Sequence, residues 1–585
     1  MIRSMWAAIC VLASALGAET PLFPLKDVKP GLRGTGKSVF SGSRVEEFQA
    51  EILGVLENIG PKQALILARL SGGPLDRAGV MQGMSGSPVY VQGKLLGAVA
   101  MAFPFAKEPI AGIRPIEEML PVGAAGPAMP ARGRVTLADR DLTRLFPRRE
   151  EIPAGQMKLA DVATPVSFGG FTRATVEHFA PELRAIGLEP QQGISGGGRA
   201  PADAGPPQRI QPGSMISVQL MTGDMTVGAD GTVTHIEGNR VYAFGHRFLS
   251  VGATALPFAR AEVVALLPTL QSSFKISVAR ESLGAISQDR NTAVFGELGK
   301  TAPMVPLAIS ISRAGRRLEA YKVNMVDDQL LSPLLLQMAV FSVIDATERT
   351  VGPGSFRLTG AIEFENAAPI QINNMYSADN GSAQMVSLNT AVPLAYVLQS
   401  GFRALRMKRV NLAIDTYDAK NQLQIDQVWT GRREVRPGDT VELTTVLNGE
   451  NGVEVTRSIK YTVPVGAPPG PLSFTVADAA TTNLAELRQT IFQQPRSAAQ
   501  LIRTVNALRG NTKAYVRVWR PDAAFQLEGS DLPGPPASVA LVLGVAQPGS
   551  GGITQTRNSK VAEFELSAGD MVISGSKTVQ VEIKE

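Results

Sequence analysis

Gly83-Met84-Ser85-Gly86-Ser87-Pro88 runs straight into Val89-Tyr90-Val91, then Gln92-Gly93, then Lys94-Leu95-Leu96-Gly97-Ala98-Val99-Ala100. Two β-prone runs separated by two turn residues predict a tight hairpin. Glycine on both sides of Ser85 lets the chain turn sharply and brings its backbone close to another group. The amides of Gly83 and Ser85 can then point together at a developing oxyanion, with Ser85 Oγ at the mouth of that pocket. The same hexapeptide also reads as an ordinary Gly/Ser/Pro turn ahead of a strand. The hairpin that follows, and a histidine further along, weigh on the side of chemistry.

Composition narrows the setting. A chain of 585 residues has room for about four domains. It is 44% hydrophobic, enough for sizeable cores, and rich in Gly (58) and Pro (40) against only 6% aromatics. That balance favours β-rich domains joined by turns over helical bundles. The formal charge of +5 is small for the length and no Lys/Arg run stands out, so no nucleic-acid partner is expected. At the N-terminus Arg3 precedes an apolar stretch, Met5 to Leu16, and the small residues Gly17 and Ala18. This is the layout of a signal peptide over 1–18, cleaved near Ala15–Ala18, and the mature chain is expected to be exported, periplasmic or extracellular. An uncleaved N-terminal anchor is the alternative. No later run of about 18 apolar residues occurs, so no membrane span is expected after cleavage.

Cys10, in the apolar stretch, is the only cysteine. The mature chain would therefore lack disulfides, thiol nucleophiles and cysteine-ligated metals. No carboxylate/histidine cluster has metal-ligand spacing either, and neither a metal nor a cofactor is expected.

Residues 24–120 read as short strands, among them Phe48–Val55 and Gln63–Leu70, between Gly/Pro turns. A Gly/Ala/Pro connector spans Pro121–Arg134, and Gly193–Gly213 reads as an exposed loop. Ala138–Phe146 and Val176–Ile186 carry weak helical periodicity. Strands resume at Met215–Met221, Gly231–Ile236 and Val241–Phe244, and residues 255–345 read as strands with one or two short helices. Val410–Tyr417, Gln422–Trp429, Thr440–Leu447 and Val453–Val463 suggest a small sandwich. Beyond the linker Pro464–Pro471 come helices at Asn483–Phe492 and, capped by Ser497, as far as Leu508, then the strand Ala514–Trp519. The expected division is a domain over 19–300 with an insertion at about 121–213, a mixed α/β extension over 301–404, a β-sandwich-like module over 405–466 and an α+β module over 467–585.

Only three histidines can serve a serine: His178, His235 and His246. His246 follows the apolar strand Tyr242-Ala243-Phe244 and Gly245, so its imidazole would stand at a strand end, where a general base is useful. It could equally be a structural histidine bonded to backbone. His235 reads as a strand residue and His178 as a surface residue of a helix. A third member would orient the imidazole and stabilise its cation. Asp289 and Asp76 are candidates for it; each could instead be a turn residue or a surface ion pair, and a Ser–His dyad with no carboxylate is a further option. Gly31-Leu32-Arg33-Gly34-Thr35-Gly36-Lys37-Ser38 matches the phosphate-loop pattern in letters only. That loop needs a helix after Lys-Ser, whereas Val39-Phe40-Ser41-Gly42 is strand-like.

These residues together resemble the SpoIVB-type serine peptidases, a family of the chymotrypsin-like clan. Gly83–Pro88, the hairpin to Ala100 and Pro109–Leu120 are similar to the family's serine segment, and Phe244-Gly245-His246 to its histidine segment. Glu281–Thr292 with Val294-Phe295-Gly296 resembles the stretch that follows. The resemblance covers roughly residues 24–300 and implies a mostly β chain. Its front would be a chymotrypsin-like β-barrel peptidase domain, with β-sandwich-like and small α+β modules behind. It makes Ser85 the nucleophile and His246 the general base, with the Gly83 and Ser85 amides as oxyanion donors and a protein or peptide as substrate. The segment order is permuted, since the histidine segment precedes the serine in the sporulation members. No PDZ-like segment is visible, and no aspartate here matches the family's. By analogy Met101–Ala111 would help line a specificity pocket; Met101, Phe103 and Phe105 suggest an apolar side chain there.

Two other readings stand beside a peptidase. One is a catalytically silent protease-fold protein acting as an envelope binding or scaffold protein, its C-terminal half meeting envelope partners. The other is an esterase, since the same apparatus attacks esters.

Overall fold

The computed structural model describes residues 20–585 except 104–105, 125–134, 140, 147–159, 163, 194–208, 270–272, 314, 348–350, 403–404, 491–494, 496, 523, 528–529, 533–534, 546–552 and 557. The expected signal peptide, most of the 121–134 connector, much of the 193–213 loop and Phe105 lie outside the described residues.

The chain is mostly β, and its front half is two closed antiparallel barrels. Strands β1 (Arg33–Ser41), β2 (Arg44–Gly60), β3 (Gln63–Ser71), β4 (Pro88–Val91), β5 (Lys94–Ala102) and β6 (Ile110–Pro115) pair in the order β4-β1-β2-β3-β6-β5. A β4–β5 pairing closes the ring. Alternation drives this closure: Phe48, Ala50 and Ile52 of β2 and Ile66, Ala68 and Leu70 of β3 point inward with Val89, Val91, Val99 and Ile113. Full burial of each large aliphatic or aromatic side chain contributes roughly 1.5–3 kcal/mol. The β4–β5 hairpin turns at Gln92 (φ 52°) and Gly93 (φ 74°). Two successive left-handed residues give the turn that matches strand twist. Arg33–Ser38 of the Gly31–Ser38 stretch is itself part of β1, with no helix after Lys37-Ser38, so the structural requirement of a phosphate loop is not met.

Three short strands follow. β7 (Ala160–Asp161) pairs with β5, and β8 (Thr164–Gly169) lies parallel to β9 (Leu188–Gln192). The helix Arg173–Ala185 connects β8 to β9, the crossover that a parallel pair requires. Its N-cap is Thr172, whose Oγ1 accepts from the Thr175 amide.

The second barrel comprises β10 (Met215–Gly223), β11 (Thr226–Glu237), β12 (Arg240–Ala243), β13 (Gly252–Leu267), β14 (Phe274–Arg290) and β15 (Ala293–Leu298). They pair in the order β10-β13-β14-β15-β12-β11, and β11 pairs back to β10. The barrels meet through Gly42 and Val263, which exchange two backbone hydrogen bonds of 2.8 Å. A shared apolar cluster also joins them: Leu95, Ala98, Ile116 and Met119 from the first with Tyr242, Ala293 and Phe295 from the second.

An extension continues the second sheet. β16 (Met304–Arg313), β17 (Arg316–Val326), β18 (Val351–Phe364), β19 (Ile370–Asn380) and β20 (Met407–Tyr417) lie in the order β19-β18-β20-β16-β17, and β17 pairs with β10. The helices Leu331–Thr347 and Ser382–Leu398 pack on it. Val410–Tyr417, read from sequence as the opening of the sandwich, lies in β20 and therefore pairs inside the extension. Parallel pairing with β16 gives it a neighbour there that a sandwich would not.

The sandwich itself runs over 422–583. One sheet holds Gln422–Thr430, Thr440–Gly449, Glu454–Thr462 and Val572–Ser574; the other holds Glu434–Val435, Gly470–Ala477, Lys513–Arg520, Ser559–Ser567 and Ser576–Ile583. Leu423, Ile425, Leu443 and Leu447 of the first face Phe474, Val476, Val516 and Val581 of the second in one core. The two C-terminal modules expected from sequence thus share a single sandwich core. Among the described residues no helix is long and apolar enough to cross a membrane.

Candidate active site

The serine turn leads into β4 and is held from both barrels. Gly83 and Gly86 take φ of 88° and 91°. The Gly86 amide donates to Val99 O at 2.7 Å, and Ser87 O accepts from the Val99 amide at 2.9 Å. Three bonds staple the turn to β11. The Thr232 amide donates to Ser85 O at 2.8 Å, Thr232 Oγ1 to Gly83 O at 2.8 Å and Thr234 Oγ1 to Gly86 O at 2.7 Å. With the carbonyls so engaged, the amides of Gly83 and Ser85 donate to no protein acceptor among the described residues. Two idle backbone donors flanking a serine are what an oxyanion pocket needs. Ser85 Oγ is buried and has no hydrogen-bond partner among the described residues.

Gly86 shows how closely the turn meets the histidine segment. A Cβ there would lie 2.0 Å from Thr232 O and 2.5 Å from Phe244 N. Phe244 has φ 71° and Gly245 φ 70°. The left-handed region is costly for an aromatic residue, of the order of 1–3 kcal/mol, and persists only where packing enforces it. The enforcement is visible: the Phe244 ring lies over Gly231, and Gly245 rests on Ala98 and Ala100 of the first barrel. So the serine turn packs on the second barrel while the Gly-His turn packs on the first.

His246 is buried, and its Nδ1 lies 2.7 Å from Arg247 O. With Nδ1–H donating to that carbonyl, Nε2 carries the lone pair, the tautomer a general base requires. Asp289 acts on the loop beyond. Its carboxylate accepts from the amides of Phe248 (2.8 Å), Leu249 (2.7 Å) and Val251 (3.2 Å). Burial pushes the Asp289 carboxyl up in pKa, against backbone donors that pull it down. Asp289 thus fixes the 246–251 loop, and with it the Arg247 carbonyl. Asp76 is exposed in the short helix Leu75–Ala78 and accepts from the Gly72 amide at 3.4 Å, which places it on the surface. His235 lies in β11 beside the Tyr242 ring, its pKa lowered by burial. His178 is exposed on its helix and stacks on Phe341 at 4.7 Å. Of Met101–Ala111, Met101 and Ala102 end β5, and Ile110 and Ala111 begin β6.

Sequence reasoning missed a polar network beside the turn. Lys275 of β14 is 1% exposed, and its Nζ donates to Ser38 Oγ at 2.8 Å. Ser38 Oγ is 2.9 Å from Ser87 Oγ. Asp230 of β11, 2% exposed, accepts from Ser277 Oγ at 2.5 Å. Burial drives Lys275 down to about 7, opposed by the charge of Asp230, and drives Asp230 up to about 6, opposed by hydrogen bonds from Ser217, Ser277 and Ser167. The one hint in the sequence was Ser38 itself, in the stretch that imitates a phosphate loop. Among the described residues no group of three or more His, Cys, Asp or Glu side chains comes together as a metal site would need.

Two barrels that bring a serine turn and a histidine turn to their interface form a β-rich architecture consistent with a peptidase fold. Residues 20–120, the whole first barrel with its serine turn, match the family model described as SpoIVB peptidase S55. No curated protein and no solved structure shows a significant match to the chain.

Proposed function

We propose that the protein is an exported serine endopeptidase of the SpoIVB type, periplasmic or extracellular, acting on protein or peptide substrates. The observation that carries this reading is the stapling of the Gly83–Ser87 turn to β11 and its close approach to Phe244, two residues before His246. In the proposed mechanism His246 Nε2 takes the proton of Ser85 Oγ as that oxygen attacks the peptide carbonyl. The Gly83 and Ser85 amides receive the oxyanion, and the imidazolium returns the proton to the leaving amine. The resulting acyl-enzyme is hydrolysed by water through the same base. Asp289 serves this chemistry indirectly, by holding the loop whose Arg247 carbonyl fixes the imidazole.

A second reading is favoured by one feature: both Ser85 and His246 are wholly enclosed. A substrate reaches them only after the surrounding segments move, so the fold as it stands suits a latent enzyme or a silent scaffold. Fluorophosphonate labelling of purified mature protein tests the choice. Labelling of wild type, lost in Ser85→Ala and reduced by several powers of ten in His246→Ala, supports the peptidase. A folded wild type that resists the probe supports the silent reading.

A further inference from the structure

Lys275 has no part in the proton transfers above, yet it occupies a place where a charge is costly. It starts on β14 of the second barrel and ends inside the first, at Ser38 of β1. Ser38 meets Ser87, which stands two residues after Ser85; the Ser87 carbonyl accepts from the Val99 amide of β5, next to the Gly86 amide, which donates to Val99 O. The lysine stem also underlies the turn: a Cβ on Gly83 would lie 3.3 Å from Lys275 Cδ. Next to the stem, the Lys275 amide donates to Gln82 O at 3.3 Å, and the Gln82 amide to Ser273 O at 2.8 Å. The ammonium lies 5.5 Å from the centre of the Phe40 ring, a further attraction for a cation.

From this geometry we infer that Lys275 is a positioning residue for the serine turn, setting the Gly83 and Ser85 amides through Ser38 and Ser87. It touches no reacting atom. An ammonium can only donate, so it fixes the sense of the chain: Lys275 N–H to Ser38 Oγ, then Ser38 O–H to Ser87 Oγ. A neutral amine can also accept, and the chain then loses its fixed direction. Asp230 is the charged group that acts on the lysine, and it favours the ammonium. The inference rests on reading Ser85 as the reacting serine, and its test separates the two.

Peptide-resolved hydrogen exchange on the full mature protein compares wild type with Lys275→Met and Ser38→Ala. Lys275→Met keeps the stem and removes the ammonium; Ser38→Ala breaks the chain one link further on. The expected result is exchange of residues 82–88 faster by about ten-fold or more in both variants, with the 422–583 sandwich unchanged. Fluorophosphonate labelling of Ser85 then slows by a similar factor, and in Lys275→Met its rate loses the pH dependence that the lysine, at about 7, gives the wild type. Unchanged exchange at 82–88 in folded Lys275→Met overturns the inference. So does loosening spread evenly over both barrels, or a labelling pH profile in Lys275→Met identical to that of wild type. If Lys275→Met does not fold, Ser38→Ala decides by the same measures. If wild type is not labelled, the reading of Ser85 falls, while the exchange result still decides the role of the lysine.

Discussion

Asp230 shows how a single buried carboxyl writes itself into stability. Its pKa stands at about 6 in the folded chain against an ordinary 3.8, because burial disfavours the anion. The folded state therefore binds the proton more tightly than the unfolded one. The stability this contributes is whole below pH 3.8 and is lost as pH rises through 6. Urea midpoints measured over that window should fall with rising pH in wild type and fall less in Asp230→Asn; parallel curves refute the assignment. Gly86 permits a sharper test. Alanine there meets Thr232 O at 2.0 Å and must hold φ 91°. Gly86→Ala should lose at least about 1–3 kcal/mol of unfolding free energy from backbone strain alone, read from chemical denaturation. That the Ser85 turn leads into a hairpin and that His246 follows a strand was legible, because turn glycines and apolar runs mark both places. Lys275 was not. In Phe274-Lys275-Ile276-Ser277 the polar residues face inward and the apolar ones are only half-buried. Alternation fixes which residues share a face but not which face is the core.

At the scale of elements, capping was readable and uniform apolarity was not. Ser497 caps the helix Ala498–Asn506, its hydroxyl accepting from the Gln500 amide at 3.2 Å. Leu501, Ile502 and Val505 of that helix enter the main core. Ser497→Ala should therefore cost about 1 kcal/mol, seen as a lower melting temperature of the full chain. An unchanged transition would mean that the helix is held by its packing alone. The helices Leu331–Thr347 and Ser382–Leu398 were expected only as unplaced helices of a mixed α/β extension, because they are buried on nearly every side. Without a polar face no 3.6-residue stripe exists to be seen. The hairpin at Gln92-Gly93 was found because two consecutive left-handed residues leave a chemical signature. Pairing partners leave none, which is why Val410–Tyr417 was grouped with the sandwich while β20 pairs with β16 and β18.

Across the whole molecule, core continuity decides where the chain can be cut. The apolar cluster that fills the second barrel runs without a break into the extension, joining Val218, Leu256 and Phe258 to Leu307, Val323 and Met325. The sandwich has a core of its own. A chain of residues 20–300 should thus aggregate or fail to unfold cooperatively, whereas one of residues 20–421 should fold. Soluble yield and a calorimetric transition check both, and a well-folded 20–300 fragment would falsify the claim. The placement of the two turns on separate barrels also carries a temporal meaning. Synthesis delivers Ser85 long before His246, and domains made first tend to fold first. The first barrel can therefore close around its serine while the proposed base is still unmade. Under the proposed mechanism reactivity waits until the second barrel is complete and docked, which would leave a nascent or prematurely terminated chain harmless to the machinery that makes it.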